Sequence, residues 1–146
     1  MRLTSYTDYA FRTLIALASV APEKLTAAEI SAKYDISLNH LLKVVHRLAE
    51  LGYVETTRGK SGGIRLAIAP DSLSLGTVIR EMEPELGPVA CLRSGEAPCV
   101  ITPACGLKSI LHDAMSQFLS VLDQHTLADA IPNKAPILRL LQLKAR

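Results

Sequence analysis

The chain of 146 residues has three cysteines, Cys91, Cys99 and Cys105, and all of them fall between Pro84 and Gly106. That stretch also holds four of the eight prolines. Proline fixes φ and lacks a backbone N–H, so the segment cannot form a regular helix or an interior strand. A constrained loop that gathers every thiol reads as a ligand-bearing loop, and three uses for the sulfurs compete. Free cysteines are commonly small buried hydrophobes, but core cysteines scatter over helices and strands instead of crowding a Pro/Gly loop. Structural zinc needs four ligands, commonly in C-x₂₋₄-C pairs, whereas the spacing here is C-x₇-C-x₅-C. His112, seven residues past Cys105, would stand about 10 Å farther along a helix. An iron–sulfur cluster is larger than a single ion and takes thiolates at wider spacing. Three cysteines leave one iron without a thiolate, so a fourth ligand must come from elsewhere in the chain, another subunit or a small molecule. An iron without a thiolate is the natural point of attack, which suits a sensor.

The elements around this loop follow from apolar spacing and capping signals. Residues 4–20 place Ala10, Phe11, Leu14, Ile15, Leu17 and Ala18 at helical spacing, with Thr4 or Ser5 as N-cap. Arg2, Asp8 and Arg12 fall off that stripe, and from pattern alone they read as a solvated face. Pro22 marks a turn. Thr26-Ala27-Ala28-Glu29 is a capping box opening a helix to about Tyr34. After a tight turn Ser37 can cap a third helix, Leu38 to Leu51, ended by Gly52. Its expected buried stripe is Leu41, Leu42, Val45, Leu48 and Ala49, leaving Asn39, His40, Lys43, His46 and Arg47 outward. Two short helices joined by a tight turn, the second basic on its open side, form a helix-turn-helix pattern.

Tyr53–Thr57 and Ile64–Ile68 alternate as strands around a glycine-rich turn, giving a β-hairpin with Arg58 and Lys60 at its tip and Arg65 on the return strand. A helix-turn-helix followed by a basic hairpin is a winged helix: the helix fits the major groove, and the thin hairpin reaches the minor groove or flanking phosphates. Gly59-Lys60-Ser61 echoes the end of a P-loop, but Gly52 lies seven residues before Gly59. The P-loop also needs a strand before it and a helix after it, and here the glycines join two strands.

Ser74 caps a helix to about Met82, and beyond the cysteine loop a long helix runs from Pro103 or Cys105 to about Asp123. The apolar face of that helix is wider than a small domain can cover, so part of it is expected against a second copy. A short helix is expected at about Leu127–Ile131, then Pro132, Pro136 and a C-terminal stretch. The fold class is mostly α with a β-hairpin wing. The expected division is a winged helix-turn-helix DNA-binding domain at 1–70, a connecting helix and cysteine-rich loop at 71–106, and a dimerisation helix with C-terminal segment at 107–146.

Composition sets outer bounds. The formal charge is +2, but residues 1–70 carry nine Lys/Arg against six Asp/Glu, and residues 71–146 seven against eight. The basic excess in the first half hints at an anionic partner there. Asp8 and Arg12 interrupt the N-terminal apolar stretch, so no export signal is expected, and no run reaches transmembrane length. An odd number of cysteines without an export signal points to reduced thiols in the cytoplasm. No nucleophile elbow, paired carboxylates or cysteine–histidine spacing supports enzyme chemistry.

The opening LTSYTDYAFR, the wing RGKSGGIRL, the segments IREMEP and ITPACGLK, and the late HTLAD together resemble the NsrR-type repressors. These are the nitric-oxide-sensing iron–sulfur members of the winged-helix family that also includes IscR. The resemblance covers nearly the whole chain. It implies a homodimer paired through the long helix, bound to double-stranded operator DNA, with nitric oxide as the signal and no membrane. It further implies a cluster held by Cys91, Cys99 and Cys105, with [4Fe–4S] favoured over [2Fe–2S]. In the IscR branch a histidine three residues past the last cysteine completes the site; here that position is Lys108, a poor ligand. In the NsrR branch an aspartate of the first helix, from the other subunit, can complete the cluster. That position matches Asp8, which the resemblance turns from a solvated charge into a ligand. Ser37, Asn39, His40 and Lys43 on the third helix, and Arg58, Lys60 and Arg65 on the wing, are the expected DNA contacts. The alternative is a winged-helix DNA-binding or interaction protein with a structural zinc or thiol redox site.

Overall fold

The computed structural model describes residues 3–59, 62–93, 95 and 99–143; Lys60, expected on the wing, lies outside the described residues. Helix α1 (Ser5–Val20) begins where the Thr4 side chain accepts the Thr7 backbone N–H. Its stripe residues Ala10, Leu14 and Leu17 are fully buried and form the axis of the core. Helix α2 (Ala27–Tyr34) opens on the expected capping box, in which Thr26 and Glu29 satisfy each other's backbone donors. Asp35 then takes a left-handed conformation with φ 51°, and its turn leads into α3 (Leu38–Glu50). Ser37 stands at the start of α3, but its hydroxyl makes no capping bond.

Strands β1 (Val54–Thr57) and β2 (Gly63–Leu66) pair antiparallel, with Glu55 opposite Arg65 and Thr56 opposite Ile64. Leu25, in the loop before α2, bridges to β2 as a third segment beside the wing: its N–H donates to the Ile64 carbonyl at 3.0 Å, and the Ile64 N–H donates back at 2.7 Å. The hairpin is thereby fastened to the loop before α2 through its return strand, one pair from the glycine turn.

Helix α4 (Leu75–Met82), capped by Ser74, buries Val78, Ile79 and Met82. Helix α5 (Gly106–Asp123) is different, because none of its residues is buried. Leu107, Ile110 and Val121 on it are each more than half exposed. Its C-terminal end is pinned to α4 by Arg80, whose two terminal nitrogens each donate to an Asp123 oxygen at 2.6 Å. Gly76 permits that approach, since a Cβ there would stand 2.1 Å from Asp123 Oδ1.

Two expectations for the last segment are corrected. Residues 127–130 form a turn, not a helix. The segment pairs with the start of α4 instead: the Leu127 N–H donates to the Leu73 carbonyl at 2.9 Å, and the fully buried Leu127 side chain joins the core. The helix lies farther on, as α6 (Lys134–Leu140), capped by Asn133. Pro136 falls in its first turn, where a missing N–H costs no helical bond.

Candidate functional site

The outer face of α3 carries Asn39, His40 and Lys43, all exposed, with Ser37 exposed just before them. The preceding turn is held by the Ile36 N–H on the Ser31 carbonyl at 3.0 Å and by the Ser31 hydroxyl on the Ile36 carbonyl at 2.6 Å. The Tyr6 hydroxyl donates to the Lys43 carbonyl at 3.2 Å and fastens α3 to α1. Leu42, expected in the buried stripe, is 48% exposed, and Val44 is buried in its place. Leu41, Val44, Val45 and Leu48 form the stripe, and Leu42 lies one residue, about 100° of helix, away from Leu41. Leu38 and Leu42 therefore belong to the open face. Apolar side chains there can meet thymine methyl groups in a major groove, a role that a hydrophobicity pattern cannot distinguish from core packing.

On the wing, Arg58 is exposed at the tip. Arg65 is engaged: its guanidinium donates to Glu55 Oε2 at 3.0 and 2.7 Å across the strands. Lys24 adds a cation not foreseen from the sequence, its ammonium donating to Thr57 Oγ1 at 3.0 Å beside the hairpin. Arg47, expected to face outward, is half-buried and reaches the Glu81 carbonyl at 3.5 Å.

The cysteines are all free thiols. Cys91 sits in a 3₁₀ turn, Ala90–Leu92; a Cβ on Gly87 would collide with the Leu92 carbonyl oxygen at 2.5 Å, so glycine is required where the loop folds back. Cys99 and Cys105 are joined by backbone, the Thr102 N–H donating to the Cys99 carbonyl at 2.9 Å and the Cys105 N–H to the Thr102 carbonyl at 3.4 Å. Cys105 occupies the N-cap of α5, where unpaired amides favour negative charge. Cys91 and Cys105 are half-buried and Cys99 is exposed. Among the described residues no three His, Cys, Asp or Glu side chains come together as a metal-binding group. The donor set nonetheless fits an iron–sulfur cluster in kind: three unpaired thiols on short turns of one loop. The buried Thr102 hydroxyl between two of them has no hydrogen-bond partner among the described residues.

Asp8 is on the first turns of α1, away from the core, with Arg12 Nη2 at 2.8 Å from Oδ2 and Arg12 Nε at 3.1 Å from Oδ1. Arg12 in turn lies 5.8 Å from the centre of the Tyr34 ring. The Asp8 side chain remains 45% exposed, so this carboxylate has a resting partner within its own chain and an open side.

Fold and surface together define a winged helix-turn-helix DNA-binding regulator that carries a thiol-bearing loop. The chain belongs to the Rrf2 family, whose model, described as an iron-dependent transcriptional regulator, matches residues 3–133. It is 47% identical over 145 residues to the HTH-type transcriptional regulator NsrR of Bacillus subtilis, covering 99% of both chains. It is 45% identical over 143 residues to the NsrR of Geobacillus kaustophilus, covering 97% of both. Among solved structures, CymR, the global cysteine regulator of B. subtilis, matches with a TM-score of 0.68 at 27% identity, over 90% of this chain and 97% of that one. T. potens IscR shares the fold, with a TM-score of 0.71 at 22% identity over 94% and 90% of the two chains. The resemblance to NsrR-type regulators read from the sequence is borne out. No helix among the described residues is long and apolar enough to cross a membrane.

Proposed function

We propose that this regulator is an iron–sulfur-dependent repressor that binds operator DNA as a homodimer and releases it in response to nitric oxide. The observation that carries the proposal is the confinement of every cysteine, all three as free thiols, to the loop between α4 and α5 of a chain 47% identical to an NsrR. Cys91, Cys99 and Cys105 would hold the cluster, [4Fe–4S] in preference to [2Fe–2S], and Asp8 of the partner subunit would complete it. When bound, such a cluster supplies iron that nitric oxide attacks.

The remaining steps belong to the chain. Residues 1–70 read DNA: Ser37, Asn39, His40 and Lys43 enter the major groove, and Arg58, Lys60 and Arg65 serve the wing. Residues 71–106 carry the cysteine loop, and residues 107–146 dimerise through the exposed apolar side of α5, where Leu107, Ile110 and Val121 are each more than half exposed. Two-fold symmetry sets operator half-sites about 34 Å, or a multiple of it, apart. Once released, Asp8 returns to Arg12 of its own helix. The link between one subunit's α1 and the other's loop is then lost, and the two reading heads leave the register that both grooves require.

Anaerobic purification tests the reading. Brown protein containing iron and acid-labile sulfide is expected. Colourless protein with stoichiometric zinc would replace the sensor with a structural metal, and metal-free folded protein would replace it with a thiol switch.

A further inference from the structure

A sensor of this kind needs a mechanical joint between the cysteine loop and the DNA-reading helices, and the end of α4 has the contacts of one. Glu83 is the last residue before Pro84, where the cysteine loop begins, and its N–H is anchored on the Ile79 carbonyl at 2.8 Å. Its side chain turns inward and is 7% exposed. Three donors of α1 converge on it: the Thr4 N–H on Oε1 at 2.8 Å, the Thr4 hydroxyl on Oε2 at 2.9 Å, and the Thr7 hydroxyl on Oε2. Thr4 is the N-cap of α1, and its carbonyl receives the Asp8 N–H at 3.1 Å. The whole first turn of α1, up to the candidate ligand Asp8, is thus clamped onto the residue that precedes the loop.

A clamp built only for stability would not need this chemistry. Burying a carboxylate is costly, and well-packed apolar residues often do as well or better. What the carboxylate adds is direction: three hydrogen bonds to one rigid helix turn transmit a displacement instead of absorbing it by sliding. Neighbouring residues point the same way. Glu81 receives the Tyr53 hydroxyl at the base of the wing, and its carbonyl receives Arg47 of α3. An open groove lined by Thr4, Tyr6, Arg47, Glu81, Met82 and Pro84 runs along this junction, so the clamped end of α4 has room to move together with α1.

We propose that Glu83 is the positioning residue through which the state of the cysteine loop sets the pose of α1, and with it α3, on DNA. The proposal rests on the sensor reading given above. Coupling between two sites of one protein is typically worth about 5- to 150-fold in affinity, and that ratio is what Glu83 carries.

The test measures operator affinity of cluster-loaded and cluster-free protein, anaerobically, for wild type, Glu83→Gln, Thr7→Val and Thr7→Ser, with iron, sulfide and melting temperature recorded for each. Wild type should show a loaded-to-free ratio within the range above. Glu83→Gln and Thr7→Val should load the cluster normally and yet bring the ratio to within about twofold of unity, well below that range. Thr7→Ser, which keeps the hydroxyl, should restore it. The relay is overturned if Thr7→Val, an isosteric change expected to fold even where Glu83→Gln does not, retains the wild-type ratio. If wild type loads a cluster and shows no ratio, or loads none, the sensor reading has failed first and the relay falls with it.

Discussion

Removing Arg58 should change how binding responds to salt more than it changes the protein itself. Arg58 is exposed on the wing tip, so Arg58→Ala removes a cation free to neutralise a phosphate. Each neutralised phosphate contributes about 0.9 to the slope of log affinity against log salt. Both wings of the proposed dimer lose one contact, so the slope should become shallower by about 1.8, and the affinity drop between 50 and 200 mM salt should shrink roughly 12-fold. The control is the Arg80→Ala/Asp123→Ala pair, which lies outside the proposed reading surface. Arg80 already has Asp123 Oδ2 at 2.6 Å, so deleting both leaves net charge unchanged and costs only an exposed ion pair. Fluorescence anisotropy on a fluorescent operator duplex across a salt series, with anaerobic protein, measures both. The reasoning fails if Arg58→Ala keeps the wild-type slope, or if the charge-neutral pair flattens it as much.

Asp8→Ala should still take up iron and sulfide, because three thiolates remain, but should show an altered response to nitric oxide or altered operator affinity; wild-type behaviour in both would assign the fourth ligand elsewhere. Leu14→Ala, at a fully buried position of α1, should destabilise the fold by about 2–5 kcal/mol in chemical denaturation, and a smaller loss would mean that the core recloses around α1. The Arg80 guanidinium bonded to Asp123 holds that carboxyl below its ordinary 3.8. A depressed folded value gives stability that is present above the unfolded value and is lost as pH falls through the folded one. Melting temperatures in an acid series should therefore fall more steeply below 3.8 for wild type than for Asp123→Asn, and parallel curves would remove this pair from the account.

The elements with strong local signals were legible in the sequence: the Thr26–Glu29 capping box, the Ser74 cap, Gly52 after α3, and the alternation that made the wing. Misreadings occurred where tertiary contacts outrank local ones. Leu127 and Ile131 sit at helical spacing, yet a backbone pairing between Thr126 and Ser74 and the burial of Leu127 draw that stretch into a turn. Pro136 stands in the first turn of α6, where a helix tolerates it. Leu42 reads as core from its pattern because hydrophobicity carries no information about which apolar residues stay on an open face; it is 48% exposed.

The candidate site divides in the same way. Crowding among prolines makes the cysteines visible in the sequence, but among the described residues they do not come together as a metal-binding group. The role of Asp8 came only from family resemblance, since its spacing fits a solvated helix face and it does pair with Arg12. Glu83 gave no signal at all, because its partners, Thr4 and Thr7, lie 79 and 76 residues away.

The central claim is that a cluster on the cysteine loop governs DNA binding, and the direct measurement is operator affinity of anaerobic, iron-loaded protein during titration with nitric oxide. Loss of affinity in step with loss of the cluster's visible absorbance is the predicted result. Full retention of operator binding after that absorbance has gone would contradict it.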